Sequence, residues 1–393
     1  MLNGIYQHIK SKLFLFLGLM LACLYAVPAV SDNLKAGQLL TSRLLDSGTR
    51  YENAEKEYLI SYLSTSPNNE LVTVFGRIAI PKGTAPEKGY PVLSWGNGTT
   101  GVAPQCSPSL DNNPDRDAYL NTALAHGYAV LRTDYARWGA DGPRLELNGQ
   151  SNANNIADIV SAAHQLPENL ANEWVAVGHS LGGGAVLWTA SLPPNEKYPL
   201  KGAVALAPVG PGVLKFIESV AEGSAPKEAQ FFIAVTVLGA KATDPSIDIN
   251  KLADNSILPQ FDAAQHMCVG ELAALKPLPQ GKYLKEGADL DKVKRFLLAQ
   301  DPSSLKLNVP VLLIQGSEDK TTVTPETTKQ MMQALCNSGN NVLYKEYAGQ
   351  THRSVIDASK KNTFDFIQKL SSPELMNETV KENGLLGCEA SKL

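Results

Sequence analysis

The chain has 393 residues, of which 44% are hydrophobic and 19% charged, and its formal net charge is −4. That composition supplies the apolar material for a large folded core and argues against a disordered chain. The small acidic excess offers no basic field to a polyanion, so a nucleic-acid partner is not expected.

Lys10 and Lys12 precede the apolar run Leu13 to Val27, which is followed by Pro28-Ala29-Val30-Ser31. This is the pattern of a secretory signal peptide, with small residues Ala29 and Ser31 suited to cleavage after Ser31. The uninterrupted apolar run is shorter than the ~20 residues that a membrane-spanning helix needs. Cys23, after Met20-Leu21-Ala22, loosely imitates a lipoprotein acylation site, but the bulky Leu21 fits that role poorly. The mature chain then keeps Cys106, Cys268, Cys336 and Cys388, an even set that an oxidising compartment would join into two disulfides. No C-x-x-C spacing occurs, so neither a metal site nor a thioredoxin-like redox centre is expected, and no cofactor is implied.

Residues 32 to 57 are polar and read as an N-terminal arm without a motif. Glu57 to Leu63 and Leu71 to Ile80 alternate as two antiparallel strands joined by the turn-rich Ser66-Pro67-Asn68-Asn69. Strand and helix patterns then alternate: strand Pro91–Trp95, helix Asp117–His126, strand Tyr128–Asp134, helix Asn154–Gln165, strand Trp174–Val177, helix Gly182–Ser191 and strand Gly202–Leu206. The rhythm returns with strand Val309–Gln315, helix Pro325–Cys336, strand Asn341–Tyr347 and helix Val355–Leu370. Such alternation predicts an α/β fold, a mostly parallel central sheet flanked by helices.

Residues 208–305 break that rhythm and read as an inserted helical cap, or lid. A second independent domain fits less well, because no Pro/Ser-rich linker flanks the segment. The expected organisation is a signal peptide over 1–31, a core over 32–207 and 306–393, and the cap between. The apolar stretch Phe231 to Leu238 has two readings, a wall facing a ligand groove or the cap's private core.

Gly178-His179-Ser180-Leu181-Gly182 is the line that carries chemistry. A G-x-S-x-G sequence between a buried strand and a helix is the signature of a nucleophile elbow, a sharp turn that presents a strained serine. Glycine at both flanks removes side chains that would strike neighbouring backbone. Ser180 is therefore the candidate nucleophile. A serine hydroxyl is weak at neutral pH and needs a histidine base oriented by a carboxylate. Of six histidines, His8 leaves with the signal peptide, His126 and His164 fall in helix patterns, His179 is part of the elbow and His266 falls in the insertion. His352 remains, in the loop beyond strand Asn341–Tyr347, at the strand end where open α/β sheets gather functional groups. The acid is expected between serine and histidine in the chain, which points to Asp319, with its neighbour Glu318 as rival and more in keeping with a solvated charge.

Two backbone N–H groups should face the charge that develops on a substrate carbonyl. Leu181, just after the nucleophile, supplies one. The other should come from Gly96-Asn97-Gly98-Thr99-Thr100-Gly101, where Thr99 is chosen and Thr100 is the near alternative. The loop lacks the Lys and Ser/Thr of a phosphate-binding loop. Asn97-Gly98-Thr99 and Asn377-Glu378-Thr379 are also glycosylation sequons, and a glycan on Asn97 would block the site, so Asn97 is expected unmodified.

The segment Gly96 to Pro108, Thr133-Asp134-Tyr135, the elbow, Cys268-Val269-Gly270 and the Asp319 and His352 loops together resemble the secretory, lipase-A-like lipase family of yeasts and bacteria, over roughly 50 to 390. The resemblance implies an α/β-hydrolase fold with an inserted helical cap and hydrolysis of acylglycerols or simpler carboxylic esters. It implies Ser180 as nucleophile, Asp319 as acid and His352 as base, with Cys106 paired to Cys268 and Cys336 to Cys388. Where members often carry His before Gly-Thr-Thr-Gly, this chain has Asn97, which implies altered loop packing. The expected partner is an ester substrate, with transient contact at a lipid interface if the cap opens there; oligomeric state is left open. A peptidase, an acyltransferase and a non-catalytic lipid-binding module are the rival readings on the same scaffold.

Overall fold

Among the described residues, ten strands join in one sheet. The computed structural model describes residues 34–45, 50–137, 144–224, 230–278, 283–320, 322–370 and 384–388. Met1–Leu34 and Lys35–Leu393 are separate contact units, and the sheet and its helices belong to the second. The predicted signal peptide over 1–31 and the sequon at Asn377 lie outside the described residues.

In chain order the elements are β1 (Leu39–Leu44), β2 (Ala54–Thr65), β3 (Leu71–Pro81), β4 (Tyr90–Gly96), α1 (Pro114–Ala125), β5 (Ala129–Thr133), α2 (Gly149–Ala163), β6 (Leu170–His179), α3 (Leu181–Ser191) and β7 (Leu200–Leu206). Then come α4 (Gly212–Ala221), α5 (Phe231–Thr243), α6 (Ile249–Leu252), α7 (Leu258–Ala264), α8 (Val269–Ala274) and α9 (Asp291–Ala299). The chain closes with β8 (Val311–Gly316), α10 (Pro325–Asn337), β9 (Val342–Tyr347), α11 (Ser354–Ala358), α12 (Lys360–Lys369) and β10 (Leu386–Gly387). The sheet order is β1-β2-β3-β5-β4-β6-β7-β8-β9-β10. Strands β5, β4, β6, β7, β8 and β9 run parallel to their neighbours in that series, while β1, β2, β3 and β10 pair antiparallel at the two edges.

Strand β6 explains why the middle of the sheet reads as a continuous apolar run. Its side chains alternate between faces, and Trp174 and Ala176 enter one core with Leu131, Ile156 and Ala185. Val175 and Val177 enter the opposite core with Tyr119, Ile314 and Phe366. Both faces are covered, so neither set needs to be polar.

Three local features differ from the sequence reading. The polar arm holds β1, paired with β2, and its side chains after Leu39 are exposed, so an edge strand lacks the apolar alternation that would disclose it. The last long helix pattern is two helices, parted at Ser359, whose buried hydroxyl donates to the Ile356 carbonyl. Helix α2 begins at Gly149, earlier than predicted, because the Asn148 side chain caps it by accepting from Ser151 N–H.

The six helices α4 to α9 all fall in the predicted insertion between β7 and β8. They share a core of their own, in which Ile233, Ala234, Val235 and Leu238 of α5 pack with Ile217, Phe261, Leu272 and Phe296.

Candidate active site

Strand β6 ends at His179 and α3 begins at Leu181, so Ser180 must turn the chain within one residue. It does so at φ 58° and ψ −119°, a conformation costly for a residue with a side chain. The turn is held by its own backbone: Ser180 N–H donates to Leu206 O at 2.9 Å, and its carbonyl accepts from Val209 N–H at 2.9 Å and Gly184 N–H at 3.1 Å. The flanking glycines are required by close approach. A Cβ on Gly182 would stand 2.0 Å from the Gly96 carbonyl oxygen, and one on Gly178 would stand 2.3 Å from that of Gly182. Elbow and β4 end therefore interlock through bare backbone.

The loop after β4 runs over that elbow: a Cβ placed on Gly98 would stand 3.4 Å from the His179 carbonyl oxygen and 3.6 Å from Ser180 Cβ. Thr99 and Thr100 line the same cleft as Ser180. Side chains clamp the loop from behind. Asn97 Nδ2 donates to Thr133 O at 2.8 Å and Tyr135 OH donates to Asn97 O at 3.0 Å. Arg144 donates to Thr100 Oγ1 at 2.6 Å and to Cys106 O at 2.8 Å, while Arg137 donates to Val102 O at 2.7 Å and Ala103 O at 2.5 Å. Asn97 is 1% exposed, which leaves its amide no room for a glycan. Beside this clamp sits Glu146, whose carboxyl is pushed up by burial against the opposing pull of Arg144, the Thr99 hydroxyl and Arg137. Sequence reasoning missed Arg137, Arg144 and Glu146, which fall in a stretch with no motif.

On the other side of the cleft, Asp319 follows β8 and His352 follows β9. Asp319 Oδ2 lies 2.5 Å from His352 Nδ1. The carboxylate is buried, and its charge is met by Thr322 N–H and Val323 N–H, each 3.2 Å from Oδ1, and by Gln315 Nε2 at 3.4 Å from Oδ2. Gln315, another residue the sequence did not disclose, is itself fixed by donating to Val323 O at 2.9 Å and accepting from Thr328 at 2.7 Å. Glu318 is exposed and pairs with Lys320. Its N–H donates to Gln350 O at 2.8 Å, which joins the acid loop to the histidine loop.

His179 connects the two sides. Its Nε2 lies 2.8 Å from the His352 carbonyl oxygen, and the two rings stand 4.6 Å apart. Burial, then the nearby His352 ring, hold its pKa well below the ordinary histidine value. A neutral His179 is thus the N–H donor of this bond.

Ser180, Asp319, His352, Thr99 and Thr100 line one cleft of about 660 Å³. Leu181 is buried at the first position of α3, where a backbone N–H has no intrahelical acceptor. The insertion supplies the facing wall through Phe231, Phe232, Cys268, Val269 and Ala273. The Phe231-to-Leu238 stretch accordingly serves both readings: Phe231 and Phe232 line the cleft, and Ile233, Ala234, Val235, Val237 and Leu238 pack inside the insertion. Cys106 is bonded to Cys268, and Val269 N–H donates to Thr100 O at 2.9 Å, so the insertion is fastened directly to the loop after β4. Cys336 is bonded to Cys388, joining α10 to the chain after β10. His126 and His164 are packing residues, stacked on Phe364 and Tyr198.

A search of curated protein sequences finds no match. Among solved structures, the rice cell wall degrading esterase of Xanthomonas oryzae superposes with a TM-score of 0.69 at 20% identity, covering 86% of this chain and 99% of that one. Lipase A of Candida antarctica, in its closed state, superposes with a TM-score of 0.68 at 17% identity, covering 88% of this chain and 84% of that one. At those identities the likeness establishes the fold. The sequence model of the alpha/beta hydrolase family matches residues 110–359, more than half of the chain. On that match, and on the sheet and elbow described above, this chain belongs to the alpha/beta hydrolase family.

Proposed function

We propose that the protein is an exported serine carboxylester hydrolase that cleaves acylglycerols or simpler esters through an acyl-enzyme. His352 takes the proton of the Ser180 hydroxyl as Oγ attacks the ester carbonyl. The oxyanion of the tetrahedral intermediate is met by the backbone N–H groups of Thr99 and Leu181. His352 then returns the proton to the departing alcohol oxygen, leaving the acyl group on Ser180. Water, deprotonated by His352, attacks the acyl carbonyl; the bond to Ser180 Oγ breaks, the imidazolium returns its proton to Oγ, and the acid leaves. Asp319 holds the imidazole in the required tautomer and stabilises the imidazolium form. The observation that carries this reading is the 2.5 Å contact of Asp319 with His352 Nδ1 in the same cleft as a serine at φ 58°.

The lipase and esterase neighbours support an ester substrate, and the two disulfides support export, in keeping with the leader-like N-terminus. We read the insertion as a cap over the cleft. If it opens at lipid surfaces, the rate on a triglyceride should jump as solution passes into emulsion; smooth saturation through that point marks a plain esterase.

The decisive experiment is Ser180→Ala assayed on p-nitrophenyl butyrate, with kcat expected to fall on the order of 10⁴-fold or more. A variant that keeps a tenth of the parent rate overturns the assignment. Labelling of the parent protein by a fluorophosphonate separates an enzyme from a binding module, which would stay unlabelled.

A further inference from the structure

The walls of the cleft differ in chemistry, and the difference follows the direction of the reaction. On the insertion side, Phe231, Phe232, Val269 and Ala273 line the cleft. That wall is joined to the loop after β4 by the Cys106–Cys268 bond and by Val269 N–H donating to Thr100 O. On the His352 side the lining is mostly polar, Glu318, Thr322, Thr351 and Arg353 with Ile356, continued by Asp111, Asn112 and Asn113 with Pro114. The two parts of this polar wall are one surface, since Arg353 is paired with Asp115 at 2.8 Å and α11 packs on α1.

The charges of the polar wall are already matched. Arg116 pairs with Asp111 at 2.8 Å and with Asp117 at 2.9 Å, Arg132 also faces Asp117 at 3.6 Å, and Lys320 pairs with Glu318 at 2.5 Å. A wall of amides, hydroxyls and neutralised ion pairs offers hydrogen bonds without a net field, which suits an uncharged hydroxylated group better than a phosphate or an ammonium.

We propose that the His352 side of the cleft is the leaving-group subsite and takes an alcohol that itself carries free hydroxyls, while the apolar insertion wall takes the acyl chain. This rests on the serine hydrolase reading above. In that reading the histidine must hand its proton to the leaving oxygen, so the alcohol departs over His352 and the acyl chain lies away from it. An alkyl leaving group would cover the polar wall without replacing the water bonded to it, and such unpaired groups are costly. The first leaving group of a triacylglycerol carries two acyl chains and meets the same penalty. Esters with one acyl chain on a polyhydroxy alcohol are therefore the favoured substrates.

The test uses the whole mature protein and four butyrate esters below their solubility limits: glyceryl monobutyrate, glucose 6-butyrate, octyl butyrate and tributyrin, with p-nitrophenyl butyrate as reference. We expect kcat/KM at least tenfold higher for a hydroxylated ester than for octyl butyrate or tributyrin; which of the two hydroxylated esters leads identifies the natural alcohol as glycerol-like or sugar-like. Asn112→Leu should lower that ratio about fivefold while raising the rate on octyl butyrate. Equal or better turnover of octyl butyrate by the parent protein, with p-nitrophenyl butyrate still cleaved, overturns the subsite and leaves the hydrolase reading standing. Inactivity on all five esters overturns both.

Discussion

The half of the cleft built by the sheet and the half built by the insertion are specified in different ways. Ser180, Asp319 and His352 each follow the end of a parallel strand, where local sequence dictates local geometry. The glycines at 178 and 182 exist because backbone would otherwise collide, a constraint visible within five residues. In the insertion, Phe231 faces the cleft and Ile233 is buried for reasons that lie in α4, α7, α8 and α9, all distant in sequence. The candidate catalytic residues are placed by local sequence at the sheet, and the shape of the facing wall is set by packing among the helices of the insertion.

The largest expected effect would break this division if it failed. Asp319→Asn keeps the size of the side chain but presents an amide that favours the wrong imidazole tautomer, and kcat should fall on the order of 10⁴-fold with the fold intact. A loss under tenfold on p-nitrophenyl butyrate would remove Asp319 from the machinery and return attention to Glu318.

The link between the halves can be cut by replacing Cys106 and Cys268 together with Ala. Removal of such a bridge costs about 2–5 kcal/mol, so the urea midpoint should drop by that equivalent. Because Val269 still donates to Thr100 and Gln105 still donates to the His266 carbonyl at 2.6 Å, the insertion should stay docked. Activity below the new melting temperature is therefore expected to remain within a few fold of the parent.

What was legible in the sequence follows the same division. The elbow, the parallel strands and the two loops that hold Asp319 and His352 could be read because each depends on a short run of residues. The clamp of Arg137 and Arg144 could not, since its partners are carbonyls of Val102, Ala103 and Cys106 and the Thr100 hydroxyl, all more than thirty residues away. Gln315 reads as one more strand residue, and only the fold brings its amide to Asp319. The departure at Asn97 was legible as a residue but not as a role; its amide and carbonyl tie the loop to Thr133 and Tyr135.

The scaffold behind the sheet carries a pH dependence separate from that of the site. Asp158 on α2, which accepts from the Ser64 hydroxyl at 2.7 Å, is pushed up to about 6, mainly by burial, against the Ser64 and Thr65 hydrogen bonds. Its folded value lies above the unfolded one of about 3.9. The associated stability is therefore fully present below about pH 4 and is lost as pH rises through 6, by about 3 kcal/mol at most. Asp158→Asn should remove that loss, so urea unfolding at pH 8 should find the variant more stable than the parent, with a smaller advantage at pH 5. An equal advantage at both values would show that the carboxyl titrates normally.

The smallest effect concerns the residue that joins elbow to histidine loop. Burial first, and then the nearby His352 ring, hold the His179 pKa well below the ordinary histidine value, so a neutral His179 donates Nε2–H to the His352 carbonyl. His179→Leu removes the donor and frees the backbone that aims the His352 ring, for an expected loss of about tenfold in kcat with KM little changed, since one hydrogen bond contributes on the order of 1 kcal/mol. His179→Gln, whose amide can donate over a similar reach, should recover most of it. Equal activity of the Leu variant and the parent would mean that the Asp319 contact alone is enough to set the imidazole, and that the histidine of the elbow is packing.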